Sequence, residues 1–171
     1  MSTSYYGHAN IIKYCNRPFS SIEEMDEEII KRHNEVAPSD GTVIHAGDFT
    51  LANVEIANQY IKRLNGHHIF LRGSHDKWLK ANTRVHEIWC NKIEDLYVVI
   101  CHYAMRVWAR SHYNSILLFG HSHGKLEPIG KQLDIGVDLH NFYPYSFEEI
   151  KSIMATIHND ITVYASSRTA E

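Results

Sequence analysis

The sequence predicts one α/β domain in which helices pack on a sandwich of sheets. Helix-like and strand-like segments alternate in the first half of the chain, and strand-like segments dominate the second half. The chain has 171 residues, of which 44% are hydrophobic and 22% charged, enough for a single hydrophobic core. Residues 1–171 are therefore assigned to one domain.

Capping residues mark the predicted helices. Ser21 and Glu24 form a capping box for a first helix that ends before Pro38. A second helix covers about residues 53–64 and ends at an Asn-Gly cap, and a short one is expected near residue 76. A second capping box, Ser146 with Glu149, opens a last helix that runs to about residue 156.

Short runs of apolar and β-branched residues between turn residues predict the strands. They cover about residues 42–46, 68–72, 115–119 and 132–137, two strands within 84–101 joined by a turn at 91–95, and a tail strand at 161–164.

Four of these apolar strands end in glycine, histidine or aspartate. The ends read Val43-Ile-His-Ala-Gly-Asp48, Ile69-Phe-Leu-Arg-Gly-Ser-His-Asp76, Val98-Val-Ile-Cys-His102 and Ile116-Leu-Leu-Phe-Gly-His-Ser-His123. In open α/β sheets ligands bind beyond the carboxyl ends of the strands. Taken singly, each histidine is better explained as a surface or capped loop residue, but the recurrence of polar residues at four strand ends predicts one shared site.

The residue types at these ends suit a metal centre. Histidine is the commonest metal ligand, and the chain has 13 of them. The Asp48 carboxylate offers two oxygens, which is enough to bridge a metal pair. His121 and His123 leave extended backbone on the same side, so they would bind either one metal or two neighbouring ones. Imidazole with carboxylate favours Mn, Zn, Fe or Ni over Mg or Ca.

These motifs resemble the calcineurin-like metallophosphoesterase family, in its small prokaryotic or phage-type branch. Gly47-Asp48, Gly73-Ser74-His75-Asp76, His102 and Gly120-His121-Ser122-His123 stand in the order of the family patterns GD, GNH[DE], a lone His and GHxH. The resemblance extends from Gly7 to Glu149. It implies an α/β/β/α sandwich and the hydrolysis of phosphomonoesters or phosphodiesters, small molecules or nucleotides, by in-line attack of a metal-bound hydroxide.

The resemblance also implies a role for each site residue. Asp48 would bridge the metals, with His102 and His121 on one metal and His123 on the other. His75 would be the catalytic acid, and Asp76 would orient it. Arg72 and Arg106 would contact phosphate oxygens, whereas Arg110 is better explained as solvated surface charge.

Two departures from the family pattern weaken the second metal site. The family opens with a strand ending in Asp-x-His, but Thr3 and Tyr5 stand at those positions, and little chain precedes them. Either that first strand is lost or the natural start lies upstream. Ser74 replaces a ligating Asn and would reach a metal only through a water.

We therefore expect one well-occupied metal site, held by Asp48, His102 and His121, and a weak second one at Asp48 and His123, unless His8 or His45 completes it. The alternative to an active hydrolase is a weakened or inactive family member that binds metal or a phosphorylated ligand. A missing first strand would also leave a sheet edge for a partner, which predicts a homo-oligomer.

Charge and composition narrow the partners and the compartment. A formal charge of −3 provides no basic face for duplex nucleic acid, so a small phosphorylated substrate is expected. The longest apolar runs are too short to span a membrane. Three cysteines without framework spacing and no visible signal peptide predict a reduced, cytoplasmic protein.

Overall fold

The computed structural model describes residues 1–79 and 85–159, in which the chain is a mixed α/β protein with four α-helices and two sheets. The helices are α1 (Ala9–Tyr14), α2 (Ile22–Val36), α3 (Val54–Ile61) and α4 (Phe147–Thr156). The strands are β1 (Thr42–His45), β2 (His67–Phe70), β3 (Ile88–Ile93), β4 (Leu96–Cys101), β5 (Ile116–Phe119) and β6 (Gln132–Asp134). The tail strand expected at 161–164 lies outside the described residues.

Two helices begin at the capping residues that the sequence predicts. Ser21 Oγ accepts the N–H of Glu24 at 3.1 Å, and Ser146 forms a complete capping box for α4. Asn53 was expected as the first residue of the second helix, but it caps α3, which begins at Val54. The box of α2 is only half formed, because the Glu24 carboxylate binds Ser20 instead. Helix α1 was missed. Residues 76–79 are not helical, and the rest of the short helix expected near residue 76 lies outside the described residues.

The two sheets differ in the direction of their strands. Strands β1 and β2 pair in parallel, with Thr42 opposite His67. The other sheet has the order β3-β4-β5-β6, in which β3 and β4 are antiparallel and the other pairs parallel. The β3–β4 turn is tighter than predicted, because Glu94 takes a positive φ of 51° and lets both strands extend to the turn.

The N-terminal residues link the two sheets. Ser2 bridges to His45 of β1, and Thr3 bridges to Gly136 just after β6, both in parallel. Residues 2–4 are buried, and the N–H of Ala46 donates to the Ser2 carbonyl at 2.9 Å. The expectation of an empty first-strand position with an open edge is therefore wrong, since a two-residue pairing fills it. The homo-oligomer expected on that ground stays a prediction.

Three hydrophobic clusters form the core. One lies beneath α1, α2 and α3 around Met25 and Phe49. A second joins β1, β4, β5 and α4, with Ile100 and Leu118 at its centre. The third covers the opposite face of β4 and β5, where Trp108 packs on alternate residues of both strands. Both faces of these two strands are thus buried, which fixes the ends that carry His102 and His121. No helix among the described residues is long and apolar enough to cross a membrane.

Candidate metal centre

Asp48 lies completely buried in the turn after β1, in a backbone conformation with a positive φ of 51°. The turn packs closely on the segment after β2. A Cβ added to Gly73 would come within 2.3 Å of both the backbone nitrogen and Oδ1 of Asp48. Only glycine leaves room there, and this contact explains the glycine that the sequence places before Ser74.

The structure brings three of the predicted ligands together. One donor atom each of Asp48, His102 and His121 lies within 4.8 Å of the others, at the ends of β1, β4 and β5. The shortest approach joins Asp48 Oδ2 and His102 Nε2, at 3.0 Å. His102 and His121 follow the neighbouring parallel strands β4 and β5, and Asp48 reaches them from the end of β1 in the other sheet.

The orientation of the His102 ring suits a metal ligand. Its Nδ1 lies 2.9 Å from the Ala46 carbonyl, which accepts the Nδ1 proton and turns Nε2 toward Asp48. Although Nε2 is buried and close to the carboxylate, it has no hydrogen-bond partner of acceptable geometry. A buried imidazole nitrogen without a partner beside a carboxylate oxygen fits a divalent cation bound by both.

The negative charge of the Asp48 carboxylate beside His102 also favours a bound cation. Burial by itself would raise the pKa of Asp48, but the neighbouring His102 and the N–H of His75 lower it below its usual range. Burial would likewise lower the pKa of His102, but Asp48 raises it. The carboxylate is therefore ionised at neutral pH and attracts positive charge to the position between the two side chains.

His121 completes the group from the exposed side. It directly follows Gly120 at the end of β5, and its ring lies 5.0 Å from that of His102. Partial burial, followed by the charge of His102, lowers its pKa, so the imidazole is neutral and able to bind a metal near neutral pH.

Several residues at the metal centre adopt an unfavourable backbone conformation. Tyr5, Asp48, His121 and His123 all have positive φ, between 49° and 66°. Six other non-glycine residues of the described chain share this conformation, Glu94 among them, so it is not specific to this centre.

His75 and Ser74 both contact Asp48. The backbone N–H of His75 donates to Asp48 Oδ1 at 2.7 Å, while its imidazole is exposed on the open side of the centre. Ser74 Oγ donates to Asp48 Oδ2 at 3.0 Å. Ser74 therefore contacts the carboxylate directly, and its water-mediated contact with a metal stays a prediction.

His123 does not join Asp48 among the described residues. Its Nδ1 lies 2.8 Å from Asp138 Oδ2, and Cys15 is near both. His8 does not complete the set either, because its Nδ1 accepts the N–H of Ile11 and caps α1. His45 is buried in the core beside Phe70. The second site expected at Asp48 and His123 is therefore not formed as the sequence suggested.

The expectation that Asp76 orients His75 is also wrong. Both Asp76 oxygens accept other donors: the N–H groups of Asp48, Phe49 and Gly73, and the indole N–H of Trp78. The Asp76 carboxylate instead stabilises the turn that carries Asp48.

The predicted phosphate-binding arginines do not gather at the centre. The Arg72 guanidinium donates to the Leu79 carbonyl at 3.1 Å. Arg106 is exposed and forms no ion pair within residues 1–79 and 85–159. Arg110 stacks on the ring of Tyr97, 4.5 Å from its centroid, which agrees with a surface role.

Sequence reasoning gave no role to Tyr5 beyond that of a missing ligand. Its buried ring lies 4.7 Å from the ring of His123, and burial, then the neighbouring Asp48 carboxylate, raises the pKa of the phenol. The ring thus occupies space between Asp48 and His123. Its unfavourable positive φ has no sequence signal, because tyrosine rarely adopts it.

A relative of similar length shows the family of this chain. The uncharacterized protein MJ1445 of Methanocaldococcus jannaschii is 31% identical over 163 residues, which span 90% of this chain and 89% of that protein. The chain belongs to the MJ1445 family. No established family model matches the sequence.

One solved structure shares the fold of this chain. The protein of unknown function AQ665 from Aquifex aeolicus superposes with a TM-score of 0.66 at 19% identity, over 90% of this chain and 96% of that one. A single mutant of Vps29 from Entamoeba histolytica gives a TM-score of 0.44 at 16% identity, over 64% and 63% of the two chains. The first similarity indicates a common fold, and the second is too low to indicate one.

Proposed function

We propose that this protein is a metal-dependent phosphoesterase with a metallophosphoesterase-type α/β/β/α sandwich, acting on phosphomonoesters or phosphodiesters. One observation carries the proposal. The buried Nε2 of His102 lies 3.0 Å from Asp48 Oδ2 with no hydrogen-bond partner, and His121 completes a three-residue donor group from the exposed side. Two imidazoles and a carboxylate form a ligand set typical of catalytic zinc-type sites with an open position.

Asp48, His102 and His121 would hold the metal, and the donor types favour Mn, Zn, Fe or Ni. A divalent cation there supplies neutralisation of phosphoryl charge and lowers the pKa of a water molecule. Hydrogen bonds from His75 and Ser74 fix both oxygens of Asp48, so the carboxylate is oriented before any ligand arrives. This preorganisation supports one well-held metal.

His75 is the group best placed to transfer a proton. Its backbone is fixed to Asp48, whereas its imidazole is exposed beside His8, with ring centroids 6.1 Å apart. An exposed imidazole next to the metal centre is placed to donate a proton to a leaving-group oxygen. The exposed side chains of His75 and His121 favour a small phosphorylated substrate that approaches from solvent.

The test is manganese-dependent hydrolysis of bis-p-nitrophenyl phosphate and p-nitrophenyl phosphate by protein stripped of metal and reloaded. We expect turnover that disappears in Asp48→Asn and falls about 10²-fold or more in His75→Ala, the contribution typical of a general acid. His112→Ala is the matched control, because this histidine is also exposed but lies in the loop before β5. Equal rates in His75→Ala and the control would contradict the role of His75.

A second candidate function is binding without turnover. The Tyr5 ring beside His123, together with His123 directed to Asp138, favours it, since the two-metal arrangement implied by the family resemblance is not formed. In that case the protein binds Mn²⁺ and inorganic phosphate in calorimetry but hydrolyses neither ester. Turnover abolished in Asp48→Asn would exclude this alternative.

A further inference from the structure

A second group of metal-binding side chains lies apart from the Asp48 centre. Cys15, His123 and Asp138 place one donor atom each within 4.8 Å of one another. They come from three separate segments: the end of α1, the turn after β5 and the 3₁₀ turn Val137–Leu139. Such convergence is not a consequence of sequence proximity and has to be explained by the fold or by a ligand.

Asp138 is fixed and ionised before any ion binds. The buried Arg17 holds both of its oxygens, with Nε 2.7 Å from Oδ1 and Nη2 2.9 Å from Oδ2. His123 Nδ1 lies 2.8 Å from Oδ2. Burial acts to raise the pKa of Asp138, but His123 and Arg17 outweigh it and lower the value to about 2. The carboxylate thus points at His123 in a defined orientation.

Cys15 brings a thiol to this carboxylate. Burial, and then the charge of Asp138, raises the pKa of the Cys15 thiol. A thiolate here would add to the carboxylate charge, and Arg17 and Lys125 are the positive charges near it. A divalent cation would favour the thiolate further, because it attracts the thiolate and the carboxylate together.

We propose that Cys15, His123 and Asp138 form a zinc-type metal site distinct from the Asp48 centre. Thiolate, imidazole and carboxylate are ligands that Zn²⁺ accepts in a tetrahedral site, and the sulfur selects Zn²⁺ over Mn²⁺. On binding, the thiol proton leaves to solvent, the His123 ring shifts its proton from Nδ1 to Nε2 and stays neutral, and the ion occupies the position between the three donor atoms. The solvent-exposed part of each side chain provides an entry path.

This site accounts for the position of His123. The family resemblance pairs His123 with Asp48, whereas here the Tyr5 ring lies against His123 and its Nδ1 lies beside Asp138. His123 therefore serves the sulfur-containing site. The inference does not depend on phosphoesterase activity, because it concerns a different ligand set.

Cobalt substitution distinguishes the two sites. Metal-free protein titrated with Co²⁺ should show a near-ultraviolet thiolate-to-cobalt charge-transfer band, which the Asp48 centre cannot give because it has no sulfur. We expect Cys15→Ser to lose the band. Cys90→Ser, at an exposed position on β3, and His121→Ala, in the other centre, should keep it. Absence of the band in the unaltered protein, or its survival in Cys15→Ser, would overturn the proposal.

A thiol-protection measurement checks the same point without any substitution. Zn²⁺ should strongly slow alkylation of Cys15 by iodoacetamide, as followed by mass spectrometry of peptides, while the exposed Cys90 reacts at an unchanged rate. Equal alkylation of Cys15 with and without Zn²⁺ would refute the site. Both cysteines are followed in the same sample. If zinc changed the conformation of the whole protein, the alkylation rates of both cysteines would change.

Discussion

The Asp76 carboxylate holds the backbone of Asp48: its Oδ2 accepts the Asp48 N–H at 2.6 Å. The same carboxylate accepts the N–H groups of Phe49 and Gly73 and the indole N–H of Trp78, at 2.8 to 3.0 Å. A buried carboxylate surrounded by four donors has no spare acceptor for a substrate. Asp76 is thus a positioning residue that joins the turns after β1 and β2 into one rigid cradle.

Asp76→Asn should destabilise the protein and weaken metal binding. An amide nitrogen would face N–H donors in a buried position, at a cost of about 3 kcal/mol. Urea denaturation measures this cost, and Asp95→Asn, in the exposed β3–β4 turn, is the control. A midpoint equal to that of the control would show that the four hydrogen bonds contribute little.

Gly73→Ala tests the close packing of the metal cradle. The added methyl would lie 2.3 Å from Asp48 Oδ1, so the carboxylate has to move and the affinity for Mn²⁺ should fall. Gly41→Ala is a milder control, because its nearest contact would be Pro38 Cδ at 3.1 Å. Isothermal titration with Mn²⁺ compares the two. Unchanged affinity in Gly73→Ala would mean that Asp48 is not a ligand in this position.

Tyr5→His should raise the amount of manganese bound. The Tyr5 ring lies between Asp48 and His123, and an imidazole in its place adds a nitrogen ligand beside the carboxylate. Histidine also tolerates the positive φ of this position better than tyrosine does. Elemental analysis of protein reloaded with Mn²⁺ gives the stoichiometry, with Tyr5→Phe as the control. If Tyr5→His binds no more manganese than Tyr5→Phe, the position of the Tyr5 ring is not part of a second metal site.

Stability should fall as the pH drops from about 6.5, because three neighbouring histidines, the buried His33 and His45 and the half-buried His68, are held neutral. Burial lowers the pKa of His33 to about 4, lowers that of His45 well below its usual range and lowers that of His68. Their rings lie within 6.3 Å of one another. Between about pH 6.5 and 4 the unfolded chain binds more protons than the folded one, so acid favours unfolding.

A substitution of His33 isolates its contribution to the pH dependence of the unfolding free energy. Between about pH 7.5 and 5 it should account for about 2 kcal/mol of lost unfolding free energy, and His33→Gln should remove that share while keeping a donor for the Asn65 carbonyl. Urea denaturation at both pH values measures the difference. His112→Gln, at an exposed site, should leave the pH dependence unchanged. The same slope in His33→Gln would show that His33 is not held neutral.

Local patterns in the sequence predicted much of the fold. The predicted capping residues Ser21 and Ser146 begin helices because a side-chain oxygen accepts a backbone N–H three residues further on, and such signals act over short range. The polar ends of β4 and β5 likewise indicated that His102 and His121 would meet, since neighbouring parallel strands end at one edge, whereas Asp48 joins them from the other sheet.

Only the tertiary structure decided which side chains face each other across long separations. No sequence pattern pairs His123 with Cys15 and Asp138, or directs Asp76 to the turn of Asp48, because these contacts depend on how separate loops pack. The pairing of Ser2 and Thr3 with both sheets was missed for the same reason, since two residues carry no strand periodicity. The sequence determined which ligands are available, and packing of the loops on the strand ends determined how they are grouped.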